Sequence, residues 1–186
     1  MEEINLALEM CKSEMEHAID HLGKELSKVR TGKATPSMIS DLLVEYYGSP
    51  TPLSQVANIA SADARTLTIQ PWEKSMLRHI ENAIFEANLG VTPQNDGEIV
   101  RLSFPPLNEE RRREMVKKAK QIGEDTKVGI RNHRRDAMEE IKKAVKNGLP
   151  EDSGKSKEAY IQDLTNKFTE KVDAILAAKE KEIMSV

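Results

Sequence analysis

Apolar residues recur at alternating spacings of three and four positions in three long segments of this chain. The first segment contributes Ile4, Leu8, Cys11, Met15, Ala18, Leu22, Leu26 and Val29. The second contributes Met115, Ala119, Ile122, Thr126, Ile130, His133, Ala137, Ile141 and Ala144, and the third contributes Ile161, Leu164, Phe168, Val172, Ile175 and Ile183. Such spacing places the apolar residues on one side of an α-helix, so we predict three long helices that pack together in a bundle.

The second predicted helix has recognisable ends. Asn108 is a suitable N-cap, and the carboxylates of Glu109 and Glu110 suit the positive end of the helix dipole. At the other end, Asn147-Gly148 with Pro150 just beyond is typical of a helix stop.

Residues 31–105 show a different pattern. They hold most of the prolines, the only tryptophan (Trp72), and short β-type runs at Leu43–Tyr47, Val56–Ala60, Arg65–Gln70 and Ile99–Leu102. A short helix is predicted over 75–89, ended by Gly90, and turn residues in 91–102 indicate a hairpin or a strand. We therefore predict a compact α/β module inserted between the first two bundle helices.

The fold class predicted from these patterns is α+β. Residues 1–30 and 106–186 form the predicted three-helix bundle, and 31–105 form the inserted domain. The chain crosses between them at Arg30-Thr31-Gly32 and at Pro105-Pro106. Because adjacent prolines make an extended, semi-rigid linker, we expect these crossings to act as a hinge between two bodies.

Composition narrows the class of protein. The 186 residues include 32% charged and 4% aromatic side chains, which suits long amphipathic helices better than a β-rich enzyme. The single cysteine, Cys11, excludes an intrachain disulfide and a cysteine zinc site. The acidic N-terminal segment lacks the pattern of a secretory signal, and no segment reaches the roughly 18 apolar residues of a membrane span. We expect a cytoplasmic protein without a membrane partner.

Charge is distributed unevenly along a chain whose net charge is −3. Residues 1–30 hold four basic and seven acidic side chains, 31–105 hold five and eight, and 106–186 hold nineteen and sixteen. On a helical wheel, one side of the second helix collects basic residues. We call this side the basic flank; it consists of Arg113, Lys117, Lys120, Lys127, Arg131, Arg134, Arg135 and Lys142. Acidic residues collect mainly on the other side, namely Glu110, Glu114, Asp125, Asp136, Glu139 and Glu140.

The basic flank has two interpretations. It could pair with acidic residues of the first helix, as many charged bundle helices do. It could also bind a nucleic-acid backbone, because from Arg113 to Arg135 it extends about 33 Å and guanidinium groups bind phosphate bidentately. Six of the ten arginines fall between 111 and 135, and this preference for arginine over lysine favours binding.

Signals of catalysis are weak. No phosphate-binding glycine loop is present, and His17 and His21 have the spacing of a metal pair without an obvious third ligand. His133 lies on the apolar stripe and is expected in the core, His79 has no matching nucleophile, and Cys11 is expected as a buried thiol. We expect no enzyme, with no catalytic residue, no metal site and no cofactor.

Four segments carry a resemblance to a known family. LSKVRTGKATPSMISDLLVEYYGSPTPLSQVANI at 26–59 resembles bacterial ribosome recycling factors, as do RTLTIQPWEKSM at 65–76, FPPLNEERRREMVK at 104–117 and VGIRNHRRDAMEEIKK at 128–143. The resemblance implies an L-shaped protein with a long three-helix bundle and a smaller β/α/β domain on a hinge. It also implies a factor that works with elongation factor G and its GTP hydrolysis to split the post-termination ribosome into subunits. Nothing in the sequence indicates an obligate dimer, so we expect a monomer.

The resemblance further implies which residues contact ribosomal RNA of the large subunit. They are Arg30 at the hinge, Arg111, Arg112, Arg131 and Arg134 on the second helix, with Asn132 and Arg135 as supports. The inserted domain would face elongation factor G and the small subunit. Two positions depart from the family pattern, because Lys33 stands where many relatives have arginine and His133 stands where an aliphatic residue is common.

Two other classes of function stay open from the residues alone. A coiled-coil adaptor or chaperone-like module would bind protein through exposed bundle faces and would be insensitive to salt. A metal-assisted hydrolase would need a bound ion.

Overall fold

The computed structural model describes residues 2–185 and contains four α-helices in that range. They are α1 (Glu2–Ser27), α2 (Leu77–Glu86), α3 (Glu109–Lys146) and α4 (Glu151–Met184). Three short 3₁₀ turns lie at Pro36–Met38, Leu53–Gln55 and Lys74–Met76. The three long helices confirm the elements predicted from the apolar stripes.

Six strands lie between α1 and α3, and they form two antiparallel sheets. They are β1 (Leu43–Tyr46), β2 (Ser49–Pro52), β3 (Ala57–Asp63), β4 (Thr66–Pro71), β5 (Gln94–Asn95) and β6 (Val100–Ser103). The first sheet pairs β1 with β2, and the second has the order β3-β4-β6-β5. Together with the long helices they make the fold α+β, as predicted.

Several elements of the module differ from the prediction. The 3₁₀ turn at Lys74–Met76 precedes α2, which ends at Glu86, earlier than predicted, with Asn88 at a φ of 56° just beyond. Strand β2 was absent from the prediction because it contains two prolines, which only an edge strand tolerates. The predicted hairpin in 91–102 is confirmed by the antiparallel pairing of β5 with β6.

The described chain divides into two compact units, each with its own core. The first contains the described part of Met1–Leu26 and Val116–Glu182, and the second contains Ser27–Met115 and the described part of Ile183–Val186. Large side chains fill the first core, among them the fully buried Met15, Leu22, Ile130, Ile141 and Ile161. Burial of each such side chain contributes about 1.5–3 kcal/mol. The predicted domain limits and hinge positions stay predictions.

The second unit encloses a core between its sheets and α2. Its fully buried members include Ile39, Leu53, Leu67, Ile69, Ile80 and Leu102. Tyr47, at a φ of 48°, and Gly48, at 80°, form the turn between β1 and β2. The hydroxyls of Tyr46 and Tyr47 both donate to the Glu73 carboxylate, which fastens this hairpin to the segment before α2.

Candidate functional site

Helix α3 begins where the sequence predicts, and this start positions two of the candidate arginines. The Asn108 Oδ1 atom accepts a hydrogen bond of 2.8 Å from the backbone N–H of Arg111, which confirms Asn108 as the N-cap. Arg111 is exposed and Arg112 is half-buried. Neither side chain has an ion-pair or hydrogen-bond partner within residues 2–185.

The second group of candidates lies in the middle of α3. Arg131, Asn132 and Arg135 are exposed, whereas Arg134 is half-buried. The Arg131 guanidinium pairs with Glu124 at 3.1 Å, and both side chains are about half exposed. Arg135 and Asn132 have no side-chain partner in the described chain, so their polar groups are available to a ligand.

Arg134 is held towards α4. Its Nη1 atom donates to Oε1 of Gln162 at 3.1 Å, and Gln162 in turn donates to Asn166 at 3.0 Å. The Nε atom of Arg134 is buried and has no hydrogen-bond partner within residues 2–185. The guanidinium is therefore partly ordered before any ligand arrives. Gln162 was absent from the sequence prediction, because only the packing of α4 against α3 brings it to Arg134.

Pairing along the basic flank is partial. Arg113 pairs with Glu109 at 2.7 Å and Lys127 pairs with Asp173 at 2.5 Å, in addition to the pair of Arg131 with Glu124. These acids belong to α3 and α4, whereas the sequence-based alternative placed the partners on the first helix. Four members of the flank have no partner in the part of the chain that is described, namely Lys117, Lys120, Arg135 and Lys142.

Arg30 lies at the first predicted crossing, and its side chain contacts Phe104 and Pro105 at the second crossing. Its Nη2 atom donates to the carbonyl of Pro105 at 2.8 Å, and its guanidinium lies over the Phe104 ring, 5.5 Å from the centroid. Burial, followed by the nearby charge of Arg111, lowers the pKa of Arg30 from its ordinary value. Arg30 and Arg111 are thus brought close together.

The remaining predicted hinge residues have distinct environments. Thr31 is buried, and Gly32 has a φ of 83°, a conformation that favours glycine. Pro105 and Pro106 are both exposed.

The prediction that His133 packs in the core is wrong. Its side chain is 31% exposed, and its Nδ1 atom lies 2.9 Å from Oε2 of Glu14 on α1. His133 lies at the edge of the apolar stripe, and from there its imidazole ring reaches the Glu14 carboxylate of α1. His17 and His21 are exposed. Within residues 2–185, no group of three or more histidine, cysteine, aspartate or glutamate side chains could hold a metal ion.

Burial and nearby carboxylates hold Cys11 in its protonated form. The residue is 3% exposed, and its thiol donates weakly to the His133 carbonyl at 3.5 Å. Burial raises the pKa of Cys11 to about 11, with Glu14 and Asp136 adding to the rise. A protonated, buried thiol agrees with the predicted burial of Cys11.

In the described range, no helix is long and apolar enough to cross a membrane.

The fold and its charged helix define a class of protein, and comparison with known proteins narrows that class to a family. A bundle of three long helices with a basic helix side, interrupted by a small α/β unit, defines an α+β protein with an anion-binding candidate surface. The family model described as Ribosome recycling factor matches residues 22–184, and the chain belongs to this family.

Individual relatives are similar to this chain over its full length. The ribosome-recycling factors of Christiangramia forsetii and Flavobacterium johnsoniae are 54% and 52% identical to the chain. Both comparisons cover 100% of this chain and 100% and 99% of the relatives, respectively.

Solved structures of the family share the fold. The solution structure of a ribosome recycling factor, 35% identical, covers 100% of both chains with a TM-score of 0.84. A second structure provides models for the T. thermophilus ribosome recycling factor and the E. coli elongation factor G bound to the E. coli post-termination complex. Its matching chain is 39% identical, with a TM-score of 0.68 over 98% of this chain and 99% of that chain.

Proposed function

We propose that this chain splits post-termination ribosomes into subunits, together with elongation factor G and GTP, in the cytoplasm. It acts as a monomer that binds large-subunit ribosomal RNA and supplies no catalytic residue. The GTPase that drives the step is elongation factor G. Family membership over the whole chain carries this proposal.

The solved relative supports the choice of partners. In that structure a ribosome recycling factor occurs with elongation factor G on a post-termination complex, and it covers nearly all of this chain. Because this chain has the same fold over the same length, it presents the same elements to the same two partners. The inserted domain is the part that would face elongation factor G and the small subunit.

Exposed cationic side chains on α3 support RNA binding. Arg131 and Arg135 are exposed and lie four positions apart, so their side chains project from neighbouring turns of one helix side. Phosphate contacts from such guanidinium groups release counterions, so affinity should fall steeply as salt rises. Arg30, Arg111 and Arg112 provide a second cationic group, with Arg134 and Asn132 completing the proposed contacts.

The proposed hinge comprises Thr31, Gly32, Pro105 and Pro106. The bond from Arg30 to the Pro105 carbonyl joins these two crossings, so a movement at one is transmitted to the other. Replacing Gly32 by alanine would force a side chain into a φ of 83° and would stiffen or displace the crossing. Such a change should slow subunit splitting more than it weakens ribosome binding.

A splitting assay on post-termination ribosomes tests the proposal. Light scattering would follow subunit dissociation with the chain, elongation factor G and GTP, and in separate runs with each component omitted. We expect rapid dissociation only in the complete mixture. Dissociation by the chain alone, or none in the complete mixture, would contradict the proposal.

Charge reversal separates the RNA contact from general electrostatics. Arg131→Glu and Arg135→Glu should lower ribosome co-sedimentation at moderate salt by about tenfold or more. Lys167→Glu is a matched control, because Lys167 is an exposed cation on α4 without a partner in the described chain. Equal losses from all three variants would leave no specific role for the basic flank. Binding that is insensitive to salt would instead favour the adaptor-like alternative.

A further inference from the structure

A groove follows the seam between α1 and α3, on the side of α3 away from the basic flank. Two adjoining depressions form it, and they share Glu14 and His133 in their walls. The lining extends from Ala7 to Glu25 on α1 and from Ile122 to Glu140 on α3. At 1.5 Å per residue each wall is about 27 Å long, or five helical turns.

The groove is strongly acidic. Its lining includes Glu14, Glu25, Asp125, Asp136, Glu139 and Glu140, and no lysine or arginine of residues 2–185 lines either depression. Three of these carboxylates have partners within residues 2–185, because Glu14 lies 2.9 Å from His133, Glu25 lies 3.9 Å from His21, and Glu140 pairs with Lys143 at 2.9 Å. Asp136 and Glu139 have no ion-pair partner in the described chain. Both carboxylates are exposed to a ligand, although the pKa of Lys143 is raised by its hydrogen bond to Glu140 and also by the charge of Glu139.

Apolar side chains stand beside these carboxylates. Leu6 is 58% exposed and Met10 is 54% exposed, one helical turn apart on the same side of α1. Met10 and Ala7 line one depression, and Ala18 and Ile122 line the other. Single exposed apolar residues are ordinary on protein surfaces, but this pair extends an apolar strip at the edge of a groove. Methionine also adapts its shape readily to a partner.

We propose that this groove is an interaction surface for a basic amphipathic helix of a partner protein. A groove between two helices has the form that accepts a third helix, whose apolar residues pack along the strip. Lysine or arginine side chains at the edges of that helix would meet Asp136 and Glu139. The excess of carboxylates in the lining disfavours nucleic acid, so the occupant that we infer is a protein. This surface is separate from Arg131, Arg134 and Arg135 of the proposed RNA contacts, which lie on the other side of α3.

Binding of a designed helix to the full chain tests this inference. The probe is a fluorescein-labelled peptide of about 18 residues, or five helical turns, that forms an amphipathic helix with leucines along one side and lysine and arginine along the edges. Its comparison peptide has the same composition in an order that scatters the leucines around the helix. We expect fluorescence anisotropy to show binding of the first peptide about tenfold tighter than the second. Equal binding of the two peptides, or no binding of the first, would overturn the proposal.

Two double variants locate the site. Leu6→Gln with Met10→Gln removes the apolar strip, and Asp136→Asn with Glu139→Gln removes the free charges. All four side chains are exposed, so the fold should be retained. Each double variant should weaken binding of the amphipathic peptide by about five- to tenfold. The matched control, Asp163→Asn with Glu170→Gln, alters two exposed carboxylates of α4 and should change affinity less than about twofold.

The remaining outcomes are also decisive. A control variant that loses as much affinity as the groove variants would mean general charge attraction and would overturn the proposal. Sedimentation analysis covers the possibility of a second copy of this chain. Self-association that disappears in the Leu6→Gln, Met10→Gln variant would make that copy the occupant and would also overturn it. Since the assay contains no ribosome, its failure leaves the proposed role in recycling unaffected.

Discussion

The two sides of α3 carry opposite charge and face different surroundings. On the side towards α1, His133 pairs with Glu14, and the groove carboxylates lie beside it. On the other side, Arg131 and Arg135 are exposed and Arg134 is bonded to Gln162 of α4. A net charge of −3 conceals this separation completely. The local attraction of an acidic protein for an anion depends on where the charges lie on a helix, not on their sum.

The largest expected effect concerns Cys11, which lies beneath the acidic side. A pKa of about 11, against an ordinary value of 9.0, leaves roughly 100-fold less thiolate at pH 8. Alkylation by iodoacetamide should therefore be at least about 100-fold slower in the native chain than in urea. Mass spectrometry of timed samples measures both rates.

The pH profile of that reaction sharpens the comparison. In the native chain the rate should rise with a midpoint near the pKa of about 11, and a midpoint near 9 would contradict the effect of burial and charge. In the variant Glu14→Gln with Asp136→Asn, the midpoint should move to lower pH. Because the native state retains the proton to higher pH than the unfolded chain, the free energy of unfolding should decrease as pH rises from about 9 to 11.

The next effect concerns the basic side. Arg131→Gln with Arg135→Gln should weaken ribosome binding by roughly 10- to 50-fold and reduce the slope of log affinity against log salt by about 1.5. Binding measured at several salt concentrations gives both quantities. The acidic-side variant Asp136→Asn with Glu139→Gln should leave that slope unchanged. An equal decrease of the slope in both variants would mean that the two sides are not functionally distinct.

Two glycines test how tightly each side of α3 is packed. A Cβ atom at Gly123 would clash with the Leu176 side chain of α4, whereas one at Gly129, in the lining of the α1 groove, has no atom within 4 Å. Gly129→Ala should increase the free energy of unfolding by about 0.5–1 kcal/mol, because alanine favours helix. Gly123→Ala should be about 1–2 kcal/mol less stable than Gly129→Ala. Urea denaturation of both variants provides the measurement, and equal stabilities would mean that Leu176 moves aside freely.

The bundle was easier to predict from sequence than the module, for physical reasons. Long helices repeat one spacing many times, so the stripes and the Asn108 cap were predicted correctly. Strand β2 was missed because Pro50 and Pro52 are normally read as breaks, and only its edge position permits them. Short strands contain too few residues to define their ends.

In the candidate site, too, some features could be predicted from the sequence and others could not. The positions of the arginines on one side of α3 follow from the helical period alone. The bond from Arg134 to Gln162 joins residues 28 positions apart, and the contact of Arg30 with Pro105 joins residues 75 apart. Such pairs depend on how elements pack, which no local pattern in the sequence records. His133 was misplaced because an edge position of a stripe can serve either the core or a polar partner.

The smallest expected effect concerns Gln162. This residue accepts a hydrogen bond from Arg134, whereas the neighbouring Arg131 and Arg135 are exposed. Gln162→Ala removes the acceptor that orders the Arg134 guanidinium in the free protein. The entropic cost of ordering this side chain would then be added to the free energy of binding. We expect ribosome affinity to fall by about two- to fivefold. Since Gln162 would act through Arg134, the double variant Arg134→Ala with Gln162→Ala should bind as weakly as Arg134→Ala alone. Additive losses in this cycle would show that Gln162 contributes independently, and Arg134 would then be no better ordered for binding than Arg131 or Arg135.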